Sequence, residues 1–257
     1  MELIDTHCHL TFEQFTGRIE QVLRSSRDAN VNCWITVGTG LEDSQKTVDL
    51  AQRFDNIFAT VAVHPNDAKT VTDKTIARLK QLAKNKKVVA IGETGLDFHY
   101  NLSEKPVQQK VFARHLELVA ELNLPVIIHC REAFDETLEI LNRYLPQLSG
   151  VVFHCFGGSA DQAEIVLDLG CYVSFTGLVT FKNAEKTRKA AKIVPLDRLM
   201  LETDCPYMSP EPMRKQKVNE PALLIHTARF LAELKGIGLD DFAFAVTTTT
   251  KRFFALP

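Results

Sequence analysis

The chain has 257 residues, 45% of them hydrophobic and 24% charged, with a formal net charge of -2. That length can build a full core, and the composition is that of a globular domain rather than of a disordered, collagen-like or membrane chain. A nearly neutral chain does not recognise nucleic acid by a general basic surface, so an anionic substrate has to be drawn by a local site.

The sequence begins Met1-Glu2-Leu3-Ile4-Asp5, without the basic start and apolar stretch of a secretory signal. No apolar run approaches the roughly 20 residues that span a bilayer. The six cysteines show no Cys-x-x-Cys spacing. They read as reduced thiols of a cytoplasmic protein without a membrane or an obligatory protein partner.

Short β-rich runs then alternate with longer amphipathic stretches. The runs fall at 3–4, 33–37, 57–63, 88–91, 126–128, 151–153, 171–175 and 199–201. Near-continuous apolar runs of this kind suit parallel strands covered on both faces. Helices are expected at about 17–29, 42–53, 73–84, 104–123, 133–144, 160–169, 183–193 and 219–235. In the fourth of these, Val107, Val111, Leu118 and Leu122 recur at helical spacing and Pro106 stands near the start, where proline is favoured. A last helix is expected at 239–254, with Thr247 to Thr250 capping or kinking it.

Eight strand-then-helix units imply right-handed parallel crossovers and, at this length, a single (β/α)8 TIM-barrel domain over 1–257. An open doubly wound sheet is the alternative, but no Gly-x-Gly-x-x-Gly follows the first strand, so its dinucleotide-binding version lacks the fingerprint.

The histidines fall in a pattern. His115 and His226 lie inside expected helices and read as structural or exposed. The other six lie at or just past strand ends: His7, His9, His64, His99, His129 and His154. Glu93 and Asp204 join them at the ends of the fourth and eighth strands. In a (β/α)8 barrel all strand C-termini open on one face, where active sites sit. His7, His9, Glu93, His129, His154 and Asp204 therefore form a candidate ligand set for one or two borderline divalent ions. Asp5, His7 and His9 share one side of a strand, with Asp5 as support. Cys8, Cys130, Cys155 and Cys205 each neighbour a candidate ligand, so alternation turns their thiols toward the helices.

In order, the segments "IDTHCHL", "HP" at 64–65, "GETGLDF", "PVIIHCRE", "LETDCPYMSP" and "NEPA" resemble the TatD family of metal-dependent deoxyribonucleases, which belongs to the amidohydrolase-type barrels. The resemblance runs from residue 3 to about 253. It implies a metallo-dependent hydrolase of (β/α)8 fold with two divalent ions (Zn, Mg, Mn, Ni or Fe), and it carries over the same six ligands, with Glu93 as the bridge between the ions. It also implies a nuclease of 3′–5′ exonuclease type acting on DNA, in particular on single-stranded ends. Thr11 and Asn66 depart from the family pattern, as does the lengthened basic stretch Arg214-Lys215-Gln216-Lys217-Val218. None of these changes removes a ligand.

Such a site would use a metal-activated water as nucleophile on a phosphodiester, with Asp204 as the general base and Glu93 holding the ions. His64, Arg131 and Arg214 are the expected substrate contacts, because arginine can grip phosphate through two parallel hydrogen bonds. D-aminoacyl-tRNA deacylation, or hydrolysis of another ester or amide on the same two-metal site, is the alternative. Relatives that bridge their metals through a modified lysine on the fourth strand are disfavoured, since no lysine lies within 88–95.

Overall fold

A computed structural model describes all 257 residues. The elements, in chain order, are β1 (Leu3–Cys8), α1 (Ile19–Asp28), β2 (Val31–Val37), α2 (Leu41–Arg53), β3 (Ile57–Val61), α3 (Asp73–Leu82), β4 (Val88–Asp97) and α4 (Lys105–Leu122). Then follow β5 (Val126–Arg131), α5 (Phe134–Asn142), β6 (Val151–Phe153), α6 (Ala160–Asp168), β7 (Tyr172–Phe175), α7 (Glu185–Ile193), β8 (Leu199–Leu201), α8 (Leu224–Lys235) and α9 (Leu239–Phe254). The strands follow one another in the sheet in chain order, β1 to β8, which is the order of the (β/α)8 class.

The chain divides into two compact units, one of Met1–Thr36 with Cys155–Pro257 and one of Val37–His154. In the first unit, β1 runs parallel to β2 and β7 parallel to β8. A parallel bridge also joins Cys8 to Cys205, just past β8. First and last strands are thus neighbours, which removes the open doubly wound alternative, whose edge strands stand apart. Around this sheet, Trp34 is fully buried and donates its indole N–H to Ser26 Oγ at 2.9 Å, so its one polar atom is satisfied. Helix α6 starts on a capping box in which Ser159 and Gln162 bond each other's backbone N–H groups, a reciprocal pairing that fixes where the helix begins.

Helix α9 passes unbroken through Thr247 to Thr250, so the expected cap or kink there is not found. Thr247 donates to the Glu2 carbonyl at 2.9 Å and Thr249 to the Leu196 carbonyl at 3.0 Å. These hydroxyls tie the helix to other parts of the unit rather than competing for its own backbone.

In the second unit β3, β4, β5 and β6 pair in parallel. All ten residues of β4 are buried. Helix α3 begins on a capping box between Thr72 and Thr75. Helix α4 carries Pro106 in its first turn and stops at Asn123, whose φ of 53° is left-handed, a conformation asparagine tolerates better than most residues. Its buried face includes Val111, Phe112, Leu116 and Val119. Burial of each such side chain favours the fold by about 1.5–3 kcal/mol. His115, from the same face, donates from Nδ1 to the Val111 carbonyl at 2.9 Å and accepts at Nε2 from the Val63 N–H at 3.2 Å. As expected for a helical histidine, it is structural.

Candidate metal-binding clusters

Each unit gathers one cluster of ligand-type side chains. In the first, His7 lies in β1 and His9 one residue beyond it, so an extended chain turns both imidazoles to one side. Asp204 follows β8 by three residues and has a φ of 53°, a left-handed conformation that aspartate accepts at modest cost. Its backbone N–H donates to the His7 carbonyl at 2.9 Å. This seats its carboxylate oxygen 3.3 Å from His9 Nε2 and 3.8 Å from His7 Nε2. His7, His9 and Asp204 thereby offer three donor atoms within 4.8 Å of one another.

Behind them Asp5 is fully buried. It accepts from the Thr203 N–H at 2.9 Å, the Thr203 hydroxyl at 2.6 Å and the His7 N–H at 3.3 Å. Burial pushes its carboxyl up to about 7 against these donors. The supporting role expected for Asp5 is therefore exerted through backbone: it fixes the strand that carries His7 and the turn that carries Asp204.

In the second cluster, Glu93 Oε1 lies 2.5 Å from His129 Nδ1, 2.7 Å from His154 Nε2 and 3.5 Å from His64 Nε2. Two glycines make this possible. A β-carbon on Gly95 (φ +143°) would run into the His129 carbonyl, and one on Gly92 (φ +153°) would lie 2.6 Å from Ile127 Cβ. Both residues let β4 press against β5 more closely than any side chain allows. Burial alone would raise the Glu93 carboxyl, but the neighbouring His154 and His64 imidazoles and hydrogen bonds from His129 and His154 hold it well below the ordinary carboxylate range. It stays ionised.

His129 meets a second carboxylate on its other side, with Nε2 3.1 Å from Asp97 Oδ2. Burial would also raise Asp97, yet the His129 contact and the Tyr100 N–H bring it down to about 2. The two carboxylates in turn raise His129, against the burial that would lower it. Asp97 was not among the sequence candidates. It lies four residues after Glu93 on β4 and so on the same side of the strand. Glu202 was missed as well. It is buried and accepts from the Cys155 N–H at 2.6 Å and from the Ser174 hydroxyl at 2.6 Å.

His64, expected to touch substrate, stands beside Glu93, with Nε2 3.5 Å from its Oε1. Its Nδ1 accepts the Asn66 N–H at 3.1 Å, which leaves Nε2 toward Glu93. The two arginines are placed otherwise. The Arg131 guanidinium lies 4.6 Å over the Tyr100 ring, and that of Arg214 lies 3.8 Å over Phe181. His99 pairs with Glu132 at 2.7 Å on the exposed side of its loop. Of the thiols, Cys8 turns away from the histidines beside it and donates to the Ile35 carbonyl at 3.3 Å.

Both clusters pass a chemical test for divalent ions. His64, Glu93 and His129 form a second set of donors within 4.8 Å of one another. Mixed imidazole and carboxylate donors suit Zn, Mn, Fe or Ni, whereas Ca is held by oxygen alone and Mg mostly by oxygen. The His129–Asp97 contact reproduces the carboxylate–histidine pairing that orients metal-ligating imidazoles.

Comparison with known proteins agrees with this chemistry. Residues 4–255 match the TatD related DNase family. The metal-dependent hydrolase YabD of Bacillus subtilis is 38% identical over 254 residues, covering 99% of both chains. The 3′-5′ ssDNA/RNA exonuclease TatD of Cronobacter sakazakii is 38% identical over 251 residues, covering 96% of this chain and 94% of its own. Among solved structures, the TatD homologue YJJV of Escherichia coli K12 superposes with a TM-score of 0.92 at 32% identity, covering 99% of this chain and 98% of that one.

Proposed function

The chain belongs to the TatD related DNase family, and from that premise we propose that it is a divalent-metal-dependent phosphodiesterase that removes nucleotides from single-stranded DNA ends in the 3′–5′ direction. The observation that carries this reading is the Glu93 cluster, in which an ionised carboxylate is ringed by three imidazoles and Asp97 backs one of them. Imidazoles gathered on an ionised carboxylate are the donor types that borderline divalent ions take.

Glu93, His129 and His154 would hold one ion, and His7, His9 and Asp204 a second. When bound, such ions supply Lewis-acid charge at the phosphoryl oxygen and lower the pKa of water at the site. The remaining steps fall to the chain itself. Asp204 accepts the proton of the attacking water as general base, because its carboxylate is partly exposed while its backbone is pinned by the His7 carbonyl. Glu93 stays ionised throughout and keeps cationic charge at the reacting phosphate. Arg131 and Arg214 neutralise flanking phosphates, Arg131 with its guanidinium already oriented on Tyr100.

The test is a panel of single-stranded DNA, duplex DNA, RNA and D-aminoacyl-tRNA, presented to protein whose metal has been measured by elemental analysis. Release of mononucleotides from single-stranded DNA 3′ ends, abolished by chelator, is expected. Turnover of D-aminoacyl-tRNA alone would replace the nuclease reading with ester hydrolysis. Asp204→Asn should keep the fold and lower kcat at least a hundredfold, near the lower end of what a general base contributes. Turnover near the unaltered rate would remove Asp204 from that role.

A further inference from the structure

The loop between β8 and α8 carries an aromatic ring that none of the roles above uses. Tyr207 lies three residues past Asp204 and is 53% exposed. A ring this exposed leaves part of its face open to a ligand.

The Tyr207 N–H donates to the Asp204 carbonyl at 3.0 Å, and its carbonyl accepts from Asn219 Nδ2 at 2.6 Å. The same Asn219 amide donates to the Thr203 carbonyl at 3.0 Å, and the Asn219 N–H returns to the Pro206 carbonyl at 2.9 Å. Asn219 is itself fully buried. Further along, the Glu211 N–H donates to Thr180 Oγ1 at 2.8 Å and the Ser209 hydroxyl to the Gln216 carbonyl at 2.8 Å. Gly177 lets the loop seat closely, since a β-carbon there would collide with the Met208 carbonyl. The backbone under Tyr207 is therefore fixed before any ligand arrives, which cuts the ordering cost of binding.

The ring also stands in an informative place. Its centroid is 6.4 Å from that of His9, at 67°, and 6.4 Å from that of Phe12, at 77°. Phe12 in turn stacks on His9 at 4.6 Å and 16°. A solvent-exposed aromatic thus borders the imidazole of a candidate ligand. The same loop exposes Arg214, Lys215 and Lys217. Aromatic rings and cations carried on one loop are what proteins use to hold single-stranded nucleic acid without reading its sequence.

We propose that Tyr207 is a stacking platform for the base at the reacting end of a single-stranded nucleic acid, with Asn219 as its positioning residue and Arg214, Lys215 and Lys217 following the backbone. The proposal rests on the nucleic-acid reading above and adds the contact that selects an unpaired base over a paired one. A terminal base in a duplex is held by its complement and cannot turn onto the ring without unpairing, which costs free energy.

The test is fluorescence anisotropy of a labelled short oligothymidylate on the full-length chain, held in chelator so that nothing is cleaved. A second oligonucleotide carries an abasic 3′-terminal residue. Tyr207→Ala should weaken binding of the intact oligonucleotide roughly five- to hundredfold, the span of stacking on one base, while Tyr207→Phe keeps it. With the abasic end, Tyr207→Ala and the unaltered protein should bind alike. The platform is overturned if the unaltered protein does not bind, if Tyr207→Ala binds as well as it does, or if the loss persists with the abasic end. Turnover with metal is read separately. Binding that follows Tyr207 without any turnover would remove the nuclease reading and leave the platform standing.

Discussion

At the scale of single residues, the clusters depend on groups that touch no ion. Asp97 holds the far nitrogen of His129 at 3.1 Å. Asp97→Asn should weaken metal affinity roughly 10- to 100-fold, the range seen for such outer carboxylates, as read by competition against a chromogenic chelator. An unchanged affinity would show that β5 alone orients the imidazole. Gly95 is a harder constraint, because any β-carbon there meets the His129 carbonyl. Gly95→Ala should cost more than about 1–3 kcal/mol, the usual cost of overpacking, because the opposing atom is backbone. Urea titration reads the loss, and a loss within ±0.5 kcal/mol would mean that β4 can step back freely. The candidate residues themselves were legible in the sequence because histidine and carboxylate recur at strand ends. Asp97 was not, since "GLDF" reads as loop once two glycines interrupt the apolar pattern.

At the scale of elements, that interruption explains the largest difference in boundaries. The apolar run predicts a strand at 88–91, but β4 continues to Asp97. Its second half carries the buried polar residues Glu93, Thr94 and Asp97 and two glycines rather than an apolar run, so hydropathy does not mark it. Strand β1 extends through Asp5, Thr6 and His7 for the same reason. Helices were legible to within two or three residues at most ends, since their apolar stripes face a conventional core. The exception is 219–235, where α8 begins only at Leu224 after a short 3₁₀ turn at Pro221–Leu223. Asn219 and Glu220 are drawn instead into bonds with the Tyr207 loop and with Arg18.

Helix α4 also carries a pH dependence. Burial holds His115 down to about 4 from an ordinary 6.5, and its two backbone partners demand the neutral ring. A folded pKa below the unfolded one gives stability that is complete above pH 6.5 and is lost as pH falls toward 4. His115→Gln should be less stable at pH 7 by about 1–2 kcal/mol, and that gap should narrow on acidification to pH 4. A constant gap in urea midpoints would count against a neutral buried imidazole.

At the scale of the molecule, alternation of strand and helix made the (β/α)8 class legible, because eight units in this length leave few other arrangements. What the alternation could not convey is that His64 and Asp97 stand with Glu93 and His129. Strand-end positions fix which residues face the same way, not which of them meet. No helix is long and apolar enough to cross a membrane. Binding by either cluster favours the folded chain by mass action, about 2.7 kcal/mol when free metal is a hundred times its dissociation constant. For a chain of this size that corresponds to a rise in Tm of about 5–11 °C. Differential scanning calorimetry across Zn, Mn, Ni and Mg would rank the ions, and a Tm indifferent to all of them would count against both clusters.

The turning of Cys8 away from its two flanking histidines has a consequence for fidelity. Along β1 nitrogen and sulfur donors alternate, so the pairing register of one strand decides which element of the periodic table the protein courts. A slip by one residue would exchange a pair of imidazoles for a thiolate-forming side chain, and with it a preference for borderline ions for one that favours softer metals such as Cu(I). Burial keeps that thiol protonated, well above its ordinary range. On the proposed reading, strand pairing presents the two imidazoles and turns the thiol between them toward the Ile35 carbonyl.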